Sequence, residues 1–150
     1  KRNLKVTPES VKKMAYSSLV RSGLEYGASI WDPYTDNQTN DIERIQNRAI
    51  RWIKGVRPRQ PCSVTQLRKE LDMQTLEERR FHQRLTLFYK IVHGKVAVTP
   101  EDLGLEMADL RTRSNHSHKF KEKRARSNRL KYSPVFRSVS SWNKLPAQVA

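Results

Sequence analysis

A helix with both of its ends specified is encoded in residues 75–94, which read TLEERRFHQRLTLFYKIVHG. Thr75 and Glu78 have the spacing of a capping box, in which each side chain accepts a hydrogen bond from the other residue's backbone N–H. Apolar side chains then recur at helical spacing, and Gly94 is a C-terminal stop. These side chains are Phe81, Leu85, Phe88 and Val92. The stretch therefore predicts a long amphipathic helix.

Similar start signals, stop signals and apolar spacings predict helices on both sides of this stretch. The predicted helices are 8–22, 24–31 as a second helix or a continuation of the first, 41–55, 63–71, a short one at 99–104, and 133–143. The sequence contains no alternation typical of strands and no repeat of fixed period. The predicted fold class is all-α, with five to six helices in a small bundle and a polybasic, loop-like insertion before the last helix.

Positive charge is concentrated in one part of the chain. The formal net charge is +15 over 150 residues; residues 1–110 hold 19 basic and 14 acidic side chains, whereas residues 111–137 hold 10 basic and one acidic. A segment of that composition buries too little apolar surface to order itself, which predicts an arm that is loop or disordered when alone. The predicted domains are a helical bundle (1–110), the polybasic arm (111–132) and a C-terminal helix that packs back on the bundle (133–150).

The composition also argues against several classes of protein. The hydrophobic share is 36%, below the ~45–50% typical of soluble chains, so a thin core is expected. No apolar run or signal-peptide pattern predicts a membrane or secreted protein. Cys62 is the single cysteine, which allows no internal disulfide and fits a reducing compartment. Because Lys1 stands where a Met would begin a complete chain, we expect a piece of a longer protein.

Eight short sequence motifs, called words below, are more informative in their order than each is alone. They are LVRSGLEYG (19–27), WDPY (31–34), IERIQNRA (42–49), SVT (63–65), LEERR (76–80), YKI (89–91), TR (112–113) and WNKLP (142–146). In this order and rough spacing they resemble the region just downstream of the polymerase in reverse transcriptases of LINE-type, non-LTR retrotransposons, especially jockey-like elements. The resemblance covers nearly the whole chain.

The resemblance implies a parent protein that is an RNA-directed DNA polymerase, usually with an endonuclease domain far upstream. In that family an aromatic-x-Asp-Asp motif and a further Asp hold the polymerase metals, and this chain contains no Asp-Asp pair. The acidic pairs Glu77-Glu78 and Glu101-Asp102 lie at predicted helix N-termini, where capping explains them. We therefore predict no catalytic residue, no metal and no cofactor in this region. One cysteine is also too few for the zinc knuckle of some related elements.

Basic side chains in two places are the predicted nucleic-acid contacts. In the arm they are Lys119, Lys121, Lys123, Arg124, Arg126, Arg129 and Lys131. In the predicted helix 41–55 they are Arg44, Arg48 and Arg51, called here the arginine row. Such side chains bind phosphates strongly at low salt and with little sequence preference. Further candidates are Lys12, Lys13, Arg79, Arg80 and Arg84.

Each of these predictions has a plainer alternative. Nearby acidic residues, Glu43, Glu77 and Glu78, can neutralise the helical cations and leave a solvated face. The arm can instead be a nuclear-import signal or a solvated tail. His116 and His118 can bind a metal if a third ligand approaches, although histidines solvated near phosphates are the simpler expectation. Core packing rather than base stacking is predicted for the aromatic residues Tyr26, Trp31, Trp52, Phe81, Phe88 and Trp142.

The sequence thus predicts a non-catalytic accessory region, thumb-like or post-thumb, of a reverse transcriptase. Its expected partners are RNA, an RNA–DNA or DNA duplex, and the upstream polymerase domain of the same parent chain, with no membrane partner. Its expected location is the nucleus and cytoplasm. The alternative is a protein-interaction module that docks on the polymerase body and carries a nuclear-targeting arm. A degenerate element remnant without selected activity is a third possibility.

Overall fold

The chain is all-α in the computed structural model, which describes residues 4, 6–57, 60–108, 118–146 and 148. Among these residues there is no β-strand, and a single antiparallel bridge pairs Met107 with Phe120. The predicted fold class is confirmed. None of the described helices has the length and apolar character needed to cross a bilayer.

The helices have the following bounds in chain order. They are α1 (Glu9–Tyr16), α2 (Ser22–Glu25), α3 (Ala28–Trp31), α4 (Asp36–Ile53), α5 (Val64–Glu70), α6 (Leu76–Val92), α7 (Asn128–Lys131) and α8 (Pro134–Asn143). A π-helical turn, Ser17–Arg21, joins α1 to α2 without a break. The first helical stretch therefore runs past its predicted end at residue 22.

The predicted starts of α5 and α6 are confirmed in atomic detail. Ser63 Oγ accepts a hydrogen bond from the backbone N–H of Gln66 at 3.4 Å. Thr75 N donates to Glu78 Oε2 at 2.9 Å, and Glu78 N donates to Thr75 Oγ1 at 3.0 Å. Both bonds of the capping box are made, so two N–H groups that the helix cannot satisfy internally have acceptors.

The predicted short helix at 99–104 is wrong. Thr99 and Asp102 do exchange capping-box bonds, with Thr99 N donating to Asp102 Oδ2 at 2.9 Å and Asp102 N donating to Thr99 Oγ1 at 3.3 Å. However, the chain turns away at Gly104, whose φ of 65° lies in the left-handed region. A good start signal here leads only to a turn, because the segment ends before a helix can propagate.

The described chain divides into two compact units. The first unit comprises the described residues of Lys1–Ala28 and Pro33–Arg80, and the second unit those of Ser29–Asp32 and Phe81–Ala150. This division differs from the predicted segments 1–110, 111–132 and 133–150. Residues after position 80 belong with the C-terminal helix because Phe88 and Leu105 share one core with Trp142.

The core of the first unit has a polar residue at its centre. Buried hydrophobic residues here are Tyr16, Ile50, Ile53, Leu71 and Met73. Gln46 lies one turn before Ile50 on α4 and is fully buried. Its Oε1 accepts from the Tyr16 hydroxyl at 3.2 Å, and its Nε2 donates to the carbonyl of Gln74 at 2.9 Å. Because both ends of the amide have partners, its burial is tolerated.

Gln46 rather than its neighbour Ile45 occupies the buried face of α4. The helical spacing of Ile42, Ile45, Ala49 and Ile53 favours a buried Ile45, but that side chain is 39% exposed. The helix also begins at Asp36, before the predicted start at residue 41. The prediction missed this first part because residues 36–40 are polar and show no apolar periodicity.

Burial raises the pKa of Tyr16 to about 12, because the phenolate is disfavoured away from water.

The core of the second unit is aromatic. It contains Phe88, Leu105, Phe120, Val139 and Trp142. The ring of Phe88 meets that of Phe120 edge-on at 5.7 Å and lies 5.4 Å from that of Trp142. Helix α8 begins at the predicted Pro134 and supplies Val139 and Trp142 to this core. Core packing is confirmed for Phe88 and Trp142.

The prediction of core packing is wrong for Tyr26, which is 86% exposed. Helix α2 ends at Glu25, and Gly27 then adopts a φ of 62°. Tyr26 therefore lies in a turn rather than on the buried face of a helix. Phe81 and Trp31 are also exposed, whereas Trp52 is half-buried against the core of the first unit.

The arm is more ordered than its composition predicts. Residues 111–117, with the Thr112-Arg113 word and His116, lie outside the described residues. Beyond them, Phe120 is buried and Asn128–Lys131 form helix α7. The backbone of the arm pairs with an earlier segment, with Ala108 N donating to the Lys119 carbonyl and Lys121 N to the Glu106 carbonyl, both at 2.8 Å. The expectation of a loop holds for 121–127, but not for the anchored residues on either side.

Candidate nucleic-acid interface

Most of the predicted arm contacts face solvent. Lys119 is half-buried beside Phe120, and the other six residues are exposed. Two of these six, Arg129 and Lys131, lie on helix α7, where the Lys131 ammonium is 5.2 Å from the ring centre of Tyr132. The second unit therefore presents a row of cations along residues 121–131.

One acidic residue neutralises part of this row. Glu106 lies 3.4 Å from the ammonium of Lys121 and 2.8 Å from that of Lys123. These two lysines, Lys123 first, lower the pKa of the Glu106 carboxyl. Lys123 Nζ also donates to the carbonyl of Gly104 at 2.8 Å. Lys121 and Lys123 thus have partners within the protein before any ligand binds.

Three arginines in the arm have no such partner among the residues that the structure describes. Arg124, Arg126 and Arg129 are exposed, and no acidic side chain among the described residues forms an ion pair with them. A guanidinium presents five N–H donors in a planar fork that matches phosphate oxygens. These three side chains are the cations of the second unit that are most available to a polyanion.

The arginine row lies on α4 in the first unit. Arg44 pairs with Asp41 at 2.8 Å, but both side chains are largely exposed, and such a pair contributes at most about 1 kcal/mol. Arg48 and Arg51 are exposed and make no ion pair with the described residues. Glu43 forms no ion pair with these arginines among the described residues, and its Oε1 accepts a hydrogen bond from the backbone N–H of Glu77 at 2.9 Å.

Four of the further candidates are occupied by the fold. Lys13 Nζ donates to the Leu71 carbonyl. Arg79 Nη2 donates to Glu25 Oε2 at 3.0 Å. Arg80 and Arg84 are buried. A phosphate contact predicted for Arg80 or Arg84 is therefore wrong, since neither guanidinium is accessible.

Arg84 belongs to a buried ion cluster in the second unit. Its guanidinium pairs with Asp32, the aspartate of the WDPY word, and Arg137 lies 3.2 Å from the same carboxylate. Burial lowers the pKa of Arg84, and the nearby charge of Arg137 lowers it further, against the effect of Asp32. Asp32 thus has a structural role in holding the second unit together.

The described residues contain no group of three His, Cys, Asp or Glu side chains placed to hold a metal ion. His118 lies with its ring centre 5.7 Å from that of His93, whereas His116 lies outside the described residues. Cys62 is a half-buried free thiol.

No family model, no curated protein and no solved structure matches this chain. The resemblance to reverse transcriptases of non-LTR retrotransposons therefore stays a prediction from the words quoted above.

The residues that hold the arm in place were not predicted from the sequence. Phe120 is the only Phe, Tyr or Trp between Arg111 and Lys131, and that isolation within a basic segment is a signal that it is an anchor. Asn143 was assigned only to the end of the last helix, yet its side chain bonds to the backbone of Phe120. No spacing rule predicts that contact, because the two residues are 23 positions apart.

Proposed function

We propose that this chain is a non-catalytic accessory region, thumb-like or post-thumb, of an RNA-directed DNA polymerase of the LINE-type, jockey-like non-LTR class. In this proposal it binds template RNA or the primer–template duplex through the phosphate backbone. The polymerase itself lies upstream in the parent chain. The sequence words support the family, and the basic surface supports the binding.

The observation that carries the proposal is a group of three exposed arginines in the arm. Arg124, Arg126 and Arg129 occur within six positions and face solvent, and none has an acidic partner among the described residues. The chain as a whole has a net charge of +15. On a chain with a high net positive charge, cations without acidic partners favour binding to a polyanion. Binding releases the counterions condensed on the nucleic acid.

Binding of this kind has defined properties. Phosphates are the same at every position of a duplex, so contacts to them set affinity and register but carry no base information. Affinity falls steeply with salt, because each neutralised phosphate contributes about 0.9 to the slope of log affinity against log salt. The proposed region thus holds the nucleic acid for the polymerase without selecting its sequence.

The test is a pair of assays on the same chain. Fluorescence anisotropy with two unrelated RNA–DNA duplexes should give similar affinities, and each affinity should fall by at least about tenfold between roughly 50 and roughly 200 mM salt. Primer extension with the same duplexes should give no product. Sequence-selective binding that is insensitive to salt, or templated nucleotide incorporation, would refute the proposal.

A specific observation in the first unit favours a second candidate function, docking on the polymerase body. Leu19 is 78% exposed and Val20 is 41% exposed. Both line a groove of about 360 Å³ together with Tyr16, Trp52 and Arg48 of the arginine row. Exposed apolar residues around a groove are typical of protein contacts. In this alternative the arm is a nuclear-targeting segment, and Leu19→Asp abolishes association with the polymerase domain while leaving duplex binding unchanged.

A further inference from the structure

Two consecutive side chains at the end of α8 hold the backbone of the arm. The indole Nε1 of Trp142 donates to the carbonyl of His118 at 2.7 Å. The amide of Asn143 bonds to both backbone groups of Phe120: Oδ1 accepts from the N–H at 3.1 Å, and Nδ2 donates to the carbonyl at 2.8 Å. We call Trp142 and Asn143 the clamp.

The clamp itself is fixed by the core of the second unit. Trp142 is buried with its ring 5.4 Å from that of Phe88, so the direction of its N–H is set by packing. Phe120 inserts its ring edge-on against the same Phe88 ring at 5.7 Å. The arm is therefore attached at residues 118–120 by one buried side chain and three hydrogen bonds from the clamp.

The other end of the arm is also attached. Ser127 Oγ accepts from the backbone N–H of Leu130, which caps α7, and Ser133 N donates to the Leu130 carbonyl at 3.1 Å immediately before α8 begins. The segment 121–127, which contains Arg124 and Arg126, thus runs between two fixed points. A segment of this length held at both ends has fewer conformations than a free basic tail.

We propose that Trp142 and Asn143 are positioning residues of the nucleic-acid interface, which order the arm before it meets the phosphates. This inference rests on the proposed function. Neither side chain needs to touch the nucleic acid. Their effect is that the conformational entropy of residues 118–120 is lost on folding rather than on binding, so more of the phosphate interaction is expressed as affinity.

Positioning and direct contact have different signatures. Removing a phosphate contact lowers the salt slope, because fewer counterions are released. Loosening the arm leaves the same cations available, so affinity falls while the slope stays unchanged. Loss of the Asn143 bonds also exposes the Phe120 N–H to solvent exchange, whether or not nucleic acid is present.

The experiment uses the full chain with Asn143→Leu, which removes both bonds to Phe120, and Trp142→Phe, which removes the N–H donor but keeps an aromatic ring in the core. Asn40→Leu on the exposed surface of α4 is the matched control, since it makes the same chemical change away from the arm. The readouts are amide exchange at Phe120 and binding of an RNA–DNA duplex across a salt series.

We expect Asn143→Leu to accelerate exchange at Phe120 and to weaken duplex binding by about tenfold at an unchanged salt slope, the loss that corresponds to ordering about one more residue on binding. Trp142→Phe should have a smaller effect of the same kind, and Asn40→Leu none. Faster exchange with unchanged affinity, or a lower slope in either clamp variant, would overturn the inference.

Two other outcomes are distinguishable. If Asn143→Leu does not fold, Trp142→Phe alone decides the matter by the same two readouts. If the wild-type chain binds no duplex, the proposed function fails and the positioning role fails with it. Amide exchange at Phe120 would then still show whether the clamp holds the arm, which separates an error about the arm from an error about its ligand.

Discussion

The two units differ in how far they neutralise their own basic side chains. In the first unit Lys54 lies 3.1 Å from both Glu9 and Glu70, and the hydrogen bonds to these carboxylates raise its pKa. Arg79 is held by Glu25 in the same unit. The first unit holds nine acidic residues for its 16 basic ones, so partners are at hand for many of the cations.

The second unit has fewer acidic residues to share among its cations. Asp32 serves both Arg84 and Arg137, and Glu106 serves both Lys121 and Lys123. Such sharing leaves the arginines of residues 124–129 without acidic partners in the described part of the chain. Arg48 and Arg51 of the first unit also make no ion pair with the described residues, so the units differ in degree: two such arginines lie on α4, and three lie within six positions of the arm.

The largest expected effect is on the stability of the second unit. Replacing the buried Trp142 by Ala removes the ring that packs on Phe88 and the donor to His118, which should lower the free energy of unfolding by about 3–5 kcal/mol. Ile30→Ala, at a site 77% exposed in the same unit, should cost less than about 1 kcal/mol. Urea denaturation monitored by circular dichroism measures both. Equal stability of Trp142→Ala and the wild type would mean that α8 does not dock.

Ion pairs in the two units are expected to differ in strength. Asp32→Asn leaves the buried Arg84 and the half-buried Arg137 without their shared carboxylate, and should cost about 3 kcal/mol. Asp41→Asn breaks the exposed pair with Arg44 in the first unit and should cost at most about 1 kcal/mol. The same denaturation measurement compares them. Similar losses in both variants would show that burial does not decide the strength of these pairs.

The polar centre of the first unit predicts a pH dependence. Tyr16→Phe leaves Gln46 Oε1 without its donor and should cost about 1 kcal/mol near neutral pH. The pKa of Tyr16 is about 12 in the folded chain against 10.0 for the free side chain. The unfolded state therefore loses this proton first, and the contribution of Tyr16 to stability is present below pH 10 and is lost as the pH rises towards 12.

The measurement is the difference in unfolding free energy between wild type and Tyr16→Phe, because lysines titrate in the same range in both chains. That difference should shrink between about pH 10 and about pH 12. A difference that stays constant across this range would mean that the Tyr16 hydroxyl is not protected from ionisation in the folded chain.

The smallest expected effect is on neutralisation within the second unit. Glu106→Gln removes the carboxylate that pairs with Lys121 and Lys123, and frees both ammonium groups for phosphates. Duplex binding should tighten severalfold, and the salt slope should steepen by up to about 1–2 units. Glu101→Gln on the exposed turn nearby is the control. Unchanged affinity would show that these two lysines do not face the nucleic acid.

The sequence predicts local features well because their determinants are close together. The capping box of Thr75 and Glu78 and the start of α8 at Pro134 involve residues within one turn, and both are as expected. The buried place of Gln46 was missed because a polar residue contributes nothing to an apolar stripe. Its burial depends on Tyr16, 30 positions away, and on Gln74.

The candidate nucleic-acid interface was likewise only partly predictable from the sequence. Exposure of the arm cations followed from composition, since a segment with ten basic residues and one acidic residue cannot be buried. Which of them are neutralised could not be predicted, because Glu106 reaches Lys121 from 15 positions away. The attachment of the arm by Phe120 and Asn143 likewise depends on a fold that brings distant residues together.

The most direct test of the account compares two variants that lose the same charge. One changes Arg124, Arg126 and Arg129 to Gln in the second unit, and the other changes the arginine row of the first unit to Gln. Both are titrated against one RNA–DNA duplex over the same salt series. We expect the arm variant to lose roughly 2–3 units of salt slope and the row variant less than about 1, because the proposed interface lies on the arm. A larger loss from the row variant would contradict this expectation, place the interface on α4 and leave the arm as a targeting segment.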